Sequence, residues 1–289
     1  MEQINWYPGH MAKARRQLAE NLKLIDVVVE IVDARAPRAS RNPDFDDLFA
    51  QKVRIVLLNK SDLADDVKTE LWLKEFRSKG IYAARMVSTA SAGRAQAVRL
   101  IEASVSDRVQ RMKEKGVQKT VRALVVGIPN VGKSTFINRI AGDVRAKVGD
   151  KPGVTKAKQW VKASPYLELL DTPGLLWPKL EDQAEARRLA YIGSINDEIL
   201  SIEDLALSLL KELRTICPDK LSERYRKITA ETPDDALLEA LCQSRGFVQR
   251  GAAFDTERGA RVLLDEFRGG KIARVTLEWP EEAQHGEDA

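Results

Sequence analysis

"VRALVVGIPNVGKSTFINRIAG", residues 121–142, is the stretch whose reading decides the fold. It begins with a short apolar, β-branched run, which predicts a buried strand over 121–127. Gly127-x4-Gly132-Lys133-Ser134 follows, and "STFINRIAG" then opens a helix. A strand, a glycine-rich turn and a helix in this order build a phosphate-binding loop. The glycines let the backbone N–H groups around Asn130, Val131, Gly132 and Thr135 turn inward on phosphates. Lys133 is placed to bridge the β- and γ-phosphates, and Ser134 offers a hydroxyl to Mg²⁺.

Downstream, the run "LELLD" (167–171) ends in Asp171-Thr172-Pro173-Gly174. Asp171 suits a Mg²⁺ ion held through water, and the Gly174 N–H suits a γ-phosphate. Such a tetrapeptide means little alone and gains weight from its place after the phosphate loop. Between the two lies the polar segment "VGDKPGVTKAK" (148–158). Its Thr155 hydroxyl would complete the Mg²⁺ shell; the alternative is a plain connecting loop.

Upstream, "LLNKSDL" (57–63) runs an apolar strand into Asn59-Lys60-Ser61-Asp62. A carboxylate at Asp62 can accept from both N1–H and the 2-amino group of guanine. Adenine offers neither donor and would leave a buried carboxylate unpaired. Lys60 can lie along the base plane. Next, "VSTASAG" (87–93) ends another strand, where Ser88, Thr89 and a backbone N–H near Thr89–Ala90 can meet the guanine O6. Here the base reader precedes the phosphate loop, the reverse of the conventional order. Both motifs are kept if the sheet is circularly permuted, with the base-reading half first and the new join at 104–122. Surface termini that lie close together make such a rearrangement physically tolerable.

The rest of the chain fits an α/β domain. Strands are predicted at 26–35, 53–59 and 81–88 besides 121–127, with helical patterns at about 66–79 and 94–115, hence a mostly parallel sheet with helices on both faces. "KQWVKA" (158–163) and "LELLD" form a hairpin at its side. Beyond about 180 the apolar spacing becomes helical. Ser201 with Asp204 reads as a capping box and Pro233 as a helix start. The expected organisation is a nucleotide domain over 1–180, a small helical C-terminal domain over 181–280, and a disordered acidic tail over 281–289.

With 289 residues, 44% hydrophobic and 31% charged, the chain has ample length for a core. No apolar run is long enough for a membrane span and no signal core precedes the first strand, so a cytoplasmic location is expected. Two cysteines, Cys217 and Cys242, cannot make a disulfide framework. Residues 183–289 hold 15 Lys/Arg against 21 Asp/Glu, while residues 1–182 hold 32 against 22. The basic excess therefore lies in the first part, in "KARR" (13–16) and from Arg108 to Arg122, where it can meet polyphosphate or nucleic acid or simply be a solvated face.

Taken together, "NWYPGHMAKARR" (5–16), "VDARAP" with "RNP" (32–37, 41–43), "LNKSDL", "GIPNVGKSTFIN", "PGVTK", "DTPGLLWP" and "GGKIARVTLEWP" near the end resemble the circularly permuted ribosome-assembly GTPases of the YlqF/YawG class. The resemblance covers almost the whole chain. It implies a permuted P-loop GTPase domain, GTP and GDP as nucleotides with Mg²⁺, and hydrolysis during late maturation of the large ribosomal subunit. It further implies an RNA-binding helical C-terminal domain, so that rRNA and ribosomal proteins are the partners, with no membrane and a monomeric chain. RNA contact by that net acidic part would need a local basic face such as Arg224, Arg226 and Lys227. GTPases similar in Asn130 use K⁺ as a charge-stabilising ion, which makes K⁺ an expected cofactor.

The position after Gly174, where many GTPases carry a water-orienting glutamine, is Leu175. Turnover by the free protein should therefore be slow. His10 is the histidine that could orient or deprotonate water, and packing or RNA contact is its alternative role. The resemblance favours catalysis in the ribosome-bound state. Competing functions are an RNA-binding scaffold with GTP as a structural ligand, a non-ribosomal P-loop switch, and a kinase or ATPase. Asp62 argues against the last.

Overall fold

The structure, a computed structural model, describes residues 18, 21–90, 92–142, 159–172, 182–195, 201–251 and 253–281. Six strands form one sheet: β1 (Val27–Asp33), β2 (Val53–Asn59), β3 (Tyr82–Arg85), β4 (Val121–Val126), β5 (Gln159–Ser164) and β6 (Leu167–Asp171). Their spatial order is β3-β2-β1-β4-β6-β5, parallel except for the β5–β6 hairpin. The two halves meet where β1 pairs with β4, from Val27 opposite Ala123 to Glu30 opposite Val126. Strands of the first half lie on one side of this seam and strands of the second half on the other, which is the arrangement a circular permutation requires.

β1 is buried along its whole length, as expected of a parallel strand covered on both faces. Val27, Val29 and Ile31 face one core with Ala97, Ile101, Phe136 and Ile140. On the other face Val28, Leu124 and Leu170 pack with Phe45 and Phe49, while Val32, Val56 and Leu58 pack with Trp72 and Phe76. The helices responsible are α1 (Asp44–Leu48), α2 (Asp66–Ser78), α3 (Ala92–Ser104), α4 (Ser106–Glu114) and α5 (Lys133–Ala141). A single helical pattern over 94–115 is thus two helices. Val105, with φ −122° and ψ 11°, leaves the helical region. Its side chain is buried, so the bend lets this join follow the core.

After the sheet come α6 (Gln183–Tyr191), α7 (Ile202–Ile216), α8 (Pro218–Arg224), α9 (Leu237–Arg245) and α10 (Thr256–Arg268). Ser201 caps α7 by accepting from the Asp204 N–H at 3.3 Å, and Pro233 stands directly before the 3₁₀ turn that leads into α9. Leu209, Leu213, Tyr225, Leu241, Leu263 and Phe267 join these helices into one apolar cluster continuous with the first face of the sheet. Beyond α10 the chain forms no helix until Glu281; it returns across the sheet's carboxyl end, where the Val275 N–H donates to Leu63 O (3.0 Å) and the Leu277 N–H to Arg35 O (2.7 Å). No described helix is long and apolar enough to cross a membrane.

Candidate nucleotide site

The predicted site residues that the structure describes converge at the carboxyl ends of β2, β3, β4 and β6, the crevice where open α/β sheets bind ligands. The phosphate loop is shaped by two glycines. Gly127 has φ +148°, and a Cβ there would lie 2.5 Å from Ile31 O, so backbone passes backbone without room for a side chain. Gly132 has φ +99°, and its Cβ would collide with the Asn59 amide nitrogen. Lys133 is buried and its Nζ donates to Ile128 O at 2.6 Å, so the ammonium folds over the loop that would hold phosphates. Burial pushes this lysine down to about 8, with Asp171 opposing the shift. Burial also pushes the Asp171 carboxyl up to about 6 against the pull of Lys133.

Asp171 Oδ1 is buried without a hydrogen-bond partner. An orphaned carboxylate oxygen is costly unless something else fills its lone pairs. A hard, oxygen-seeking divalent ion would do so, with the hydroxyl of Ser134, in the first turn of α5, as the further oxygen the chain could offer it. No group of three or more His, Cys, Asp or Glu able to hold a metal exists among the described residues.

The base-reading segment is wired to the phosphate loop. The Asn59 Nδ2 donates to Val131 O at 2.7 Å, while its Oδ1 accepts from the Ser88 N–H (3.0 Å) and Oγ–H (2.8 Å). One buried amide therefore registers β2, the loop after β3 and the phosphate loop. Lys60, at φ +57°, donates from Nζ to Asn130 O (2.9 Å) and pairs with Asp33 Oδ2 (3.0 Å). Ser61 N–H and Oγ–H both donate to Met86 O. Arg139, on α5, holds the carbonyls of Ser88 (3.2 Å) and Thr89. The Ala90 N–H donates to Val87 O (3.0 Å), closing the turn that carries Thr89. Asp62 is exposed, which corrects the expectation of a buried carboxylate: the penalty for a wrong base can act only once a base covers it.

Two residues that sequence reasoning gave no role belong to this frame. Asp33, at the end of β1, accepts from Arg35 Nε (2.9 Å) and Nη2 (2.8 Å) as well as from Lys60. Burial alone would raise Asp33; Arg35 and Lys60 together hold its carboxyl far below the usual range. Arg35, fully buried, also donates to Arg268 O (3.1 Å), and Arg268 donates to Tyr191 O (3.0 Å) and Ala190 O (2.7 Å). Just beyond, Ser194 Oγ–H donates to Pro129 O (2.8 Å) and Asn130 Nδ2 to Gly193 O (2.7 Å). The nucleotide loops and the end of α10 thus share one polar network. An Asp-x-Arg at the end of an apolar strand was the available signal, but its partners lie over 230 residues away. His10, Thr155 and Gly174, with Leu175, lie outside the described residues.

A family model described as "50S ribosome-binding GTPase" matches residues 122–234. A Bacillus cereus protein named ribosome biogenesis GTPase A is 46% identical over 282 residues, 96% of this chain and 95% of that one. The chain belongs to the ribosome biogenesis GTPase A family. The Priestia megaterium member is 47% identical over 285 residues, covering 97% and 98% of the two chains. Among solved structures, GDP-bound and GNP-bound YlqF from Thermotoga maritima both superpose with a TM-score of 0.66. They are 28% and 29% identical, over 92% and 93% of this chain and 100% and 99% of theirs. As a family member with this permuted P-loop domain, the chain is a GTP hydrolase of ribosome biogenesis, and GTP and GDP are its nucleotides.

Proposed function

We propose that this GTPase acts in late assembly of the large ribosomal subunit, coupling its nucleotide state to subunit and rRNA binding. The observation that carries the reading is the Asn59 amide, which binds Val131 of the phosphate loop and Ser88 of the base loop at once. Such a frame makes one site from two halves in permuted order, with guanine recognition and phosphate binding mechanically joined. The second switch, after Asp171, runs straight into the C-terminal helices, so movement at a γ-phosphate has a covalent route to them. Subunit specificity is supported by the family model's description, which names the 50S ribosome.

In this reading Asp62 accepts from guanine, Lys60 flanks the base, and Ser61, Ser88 and Asn59 hold the loops that present it. Lys133 leaves Ile128 O to meet the β- and γ-phosphates, and the backbone N–H groups of Asn130, Val131, Gly132, Thr135 and Gly174 donate to phosphate oxygens. Ser134, Thr155 and Asp171 would hold Mg²⁺, which would supply positive charge against that gathering on the phosphates. Asn130, through its amide oxygen, is the residue suited to K⁺. His10 orients or deprotonates the attacking water, since Leu175 cannot. The protein works in the cytoplasm as a monomer.

Single-turnover hydrolysis with and without purified large subunits tests this. Subunits should accelerate wild-type turnover, and His10→Ala should lose most of that gain, ~10²–10⁴-fold for a general base or orienting group, while still binding GTP and particle. Wild type that hydrolyses no faster with subunits would overturn the subunit-coupled reading. A His10→Ala protein that turns over like wild type would remove the histidine from catalysis.

A further inference from the structure

The segment that returns after α10 grips the base-reading loop on both sides of Asp62. Arg274 Nη2 donates to Ser61 O (3.2 Å) and its Nε to Ala64 O (3.0 Å). The Val275 N–H takes Leu63 O at 3.0 Å. Thr276 Oγ1 accepts from the Asp65 N–H (3.2 Å) and donates to Ala34 O (3.1 Å). Every residue from 61 to 65 except Asp62 thus has a backbone group held by 274–276, while the Asp62 carboxylate stays exposed. Loops in general carry their polar backbone groups to water; here four of them are tied to a strand of chain about 210 residues distant.

We infer that this C-terminal strap is a specificity-determining element: it fixes the carbonyl trace around Asp62 so that the carboxylate meets both guanine donors, with Arg274 as the positioning residue. The inference rests on the assignment of Asp62 to guanine. Geometry separates two roles of the arginine. Its ion pair with Asp66 (2.6 and 2.7 Å) is between half-exposed groups and contributes little. The forked donation to two carbonyls of the loop is a task for a planar guanidinium, and a lysine ammonium cannot reproduce it. Recognition of two donors by one carboxylate is sensitive to such placement, because a misaligned acceptor leaves a donor unpaired. Coupling is reciprocal, so bound guanine nucleotide should also tighten the strap.

The test uses full-length protein and compares GDP with IDP, which lacks the 2-amino group, by calorimetric titration. Neither nucleotide carries a γ-phosphate for the GTPase to remove, so the ratio reads base recognition alone. Arg274→Lys and Arg274→Ala should each reduce the GDP:IDP preference roughly three- to tenfold. Asp66→Asn, which removes the ion pair and keeps the fork, should retain the wild-type ratio. If Arg274→Ala does not fold, Arg274→Lys decides. Asp62→Ala is measured alongside. If it abolishes the preference and Arg274→Lys does not alter it, the strap is only structural and the inference fails. If Asp62→Ala leaves the preference intact, the base assignment fails and takes the inference with it. If Asp66→Asn loses the ratio as fully as Arg274→Lys, charge rather than the fork is responsible, which also overturns the proposal.

Discussion

Asn59→Ala removes the side chain that registers three nucleotide loops, and its effect can be worked from the hydrogen bonds lost. The substitution strands Val131 O, the Ser88 N–H and the Ser88 hydroxyl, whose bonds to Asn59 are 2.7, 3.0 and 2.8 Å long. All three residues are buried. A stranded buried polar group costs ~1–3 kcal/mol, and a water entering the vacated space recovers part of it. The expected net loss is about 3 kcal/mol, a large share of the ~5–15 kcal/mol that holds most proteins folded. Asn59→Asp is the sharper variant. It keeps an oxygen for Ser88 but sets a carboxylate against the Val131 carbonyl, so at pH 7 it should cost at least as much despite its identical shape. Urea unfolding without nucleotide measures the stability, and GDP titration of the folded variants measures the consequence for the site, expected at about tenfold weaker binding or worse. A loss under ~1 kcal/mol with wild-type GDP affinity would refute the view that this amide ties the loops together.

Asp62→Asn should weaken GTP binding by at least ~2 kcal/mol, about thirtyfold, and favour xanthosine triphosphate, whose 2-oxo group suits the new amide; equal GTP affinity in mutant and wild type would remove Asp62 from base recognition. Lys133→Ala should abolish tight triphosphate binding, and Ser134→Ala should make calorimetric GTP affinity indifferent to Mg²⁺; a persisting Mg²⁺ effect would place the ion elsewhere. Glu278 accepts from the Arg38 N–H (2.6 Å) and the Ala39 N–H (3.1 Å), and burial pushes its carboxyl up from 4.5 to about 7. The folded protein then binds a proton that the unfolded chain releases above 4.5, so stability falls as pH rises from there to about 7 and is flat beyond. Glu278→Gln should therefore gain on wild type between pH 5 and pH 8, by up to a few kcal/mol in thermal or urea melts; an unchanged difference would mean that the carboxylate is well solvated or fully paired.

What could be read in advance was what sequence spacing encodes locally. The phosphate loop, the Asp171 turn and Asn59-Lys60-Ser61-Asp62 each combine a strand end with side chains a few residues apart, and the permuted order followed from their sequence alone. Partnerships across the fold were not legible. Nothing in "VDAR" announces that Arg35 reaches the carbonyl of Arg268, or that Arg274 would reach back to Ser61. Those bonds depend on where the helical part docks, and its docking is set by dispersed leucines that carry no address. The break at Val105 is not legible because both halves keep helical spacing, and the valine that leaves the helical region is an ordinary apolar residue, buried in the fold. The exposure of Asp62 is not legible either, since it depends on a distant strap that holds its neighbours and leaves its carboxylate in the open.

Co-sedimentation of the full-length protein with purified large ribosomal subunits, comparing GDP with a non-hydrolysable GTP analogue, tests the central claim most directly. The frame that joins Asn59, Val131 and Ser88, and the network from Asn130 to Gly193 and on to the C-terminal helices, predict that the triphosphate analogue retains the protein on the particle and that GDP releases it. Equal co-sedimentation with the analogue, with GDP and without nucleotide would contradict the claim that nucleotide state governs subunit binding.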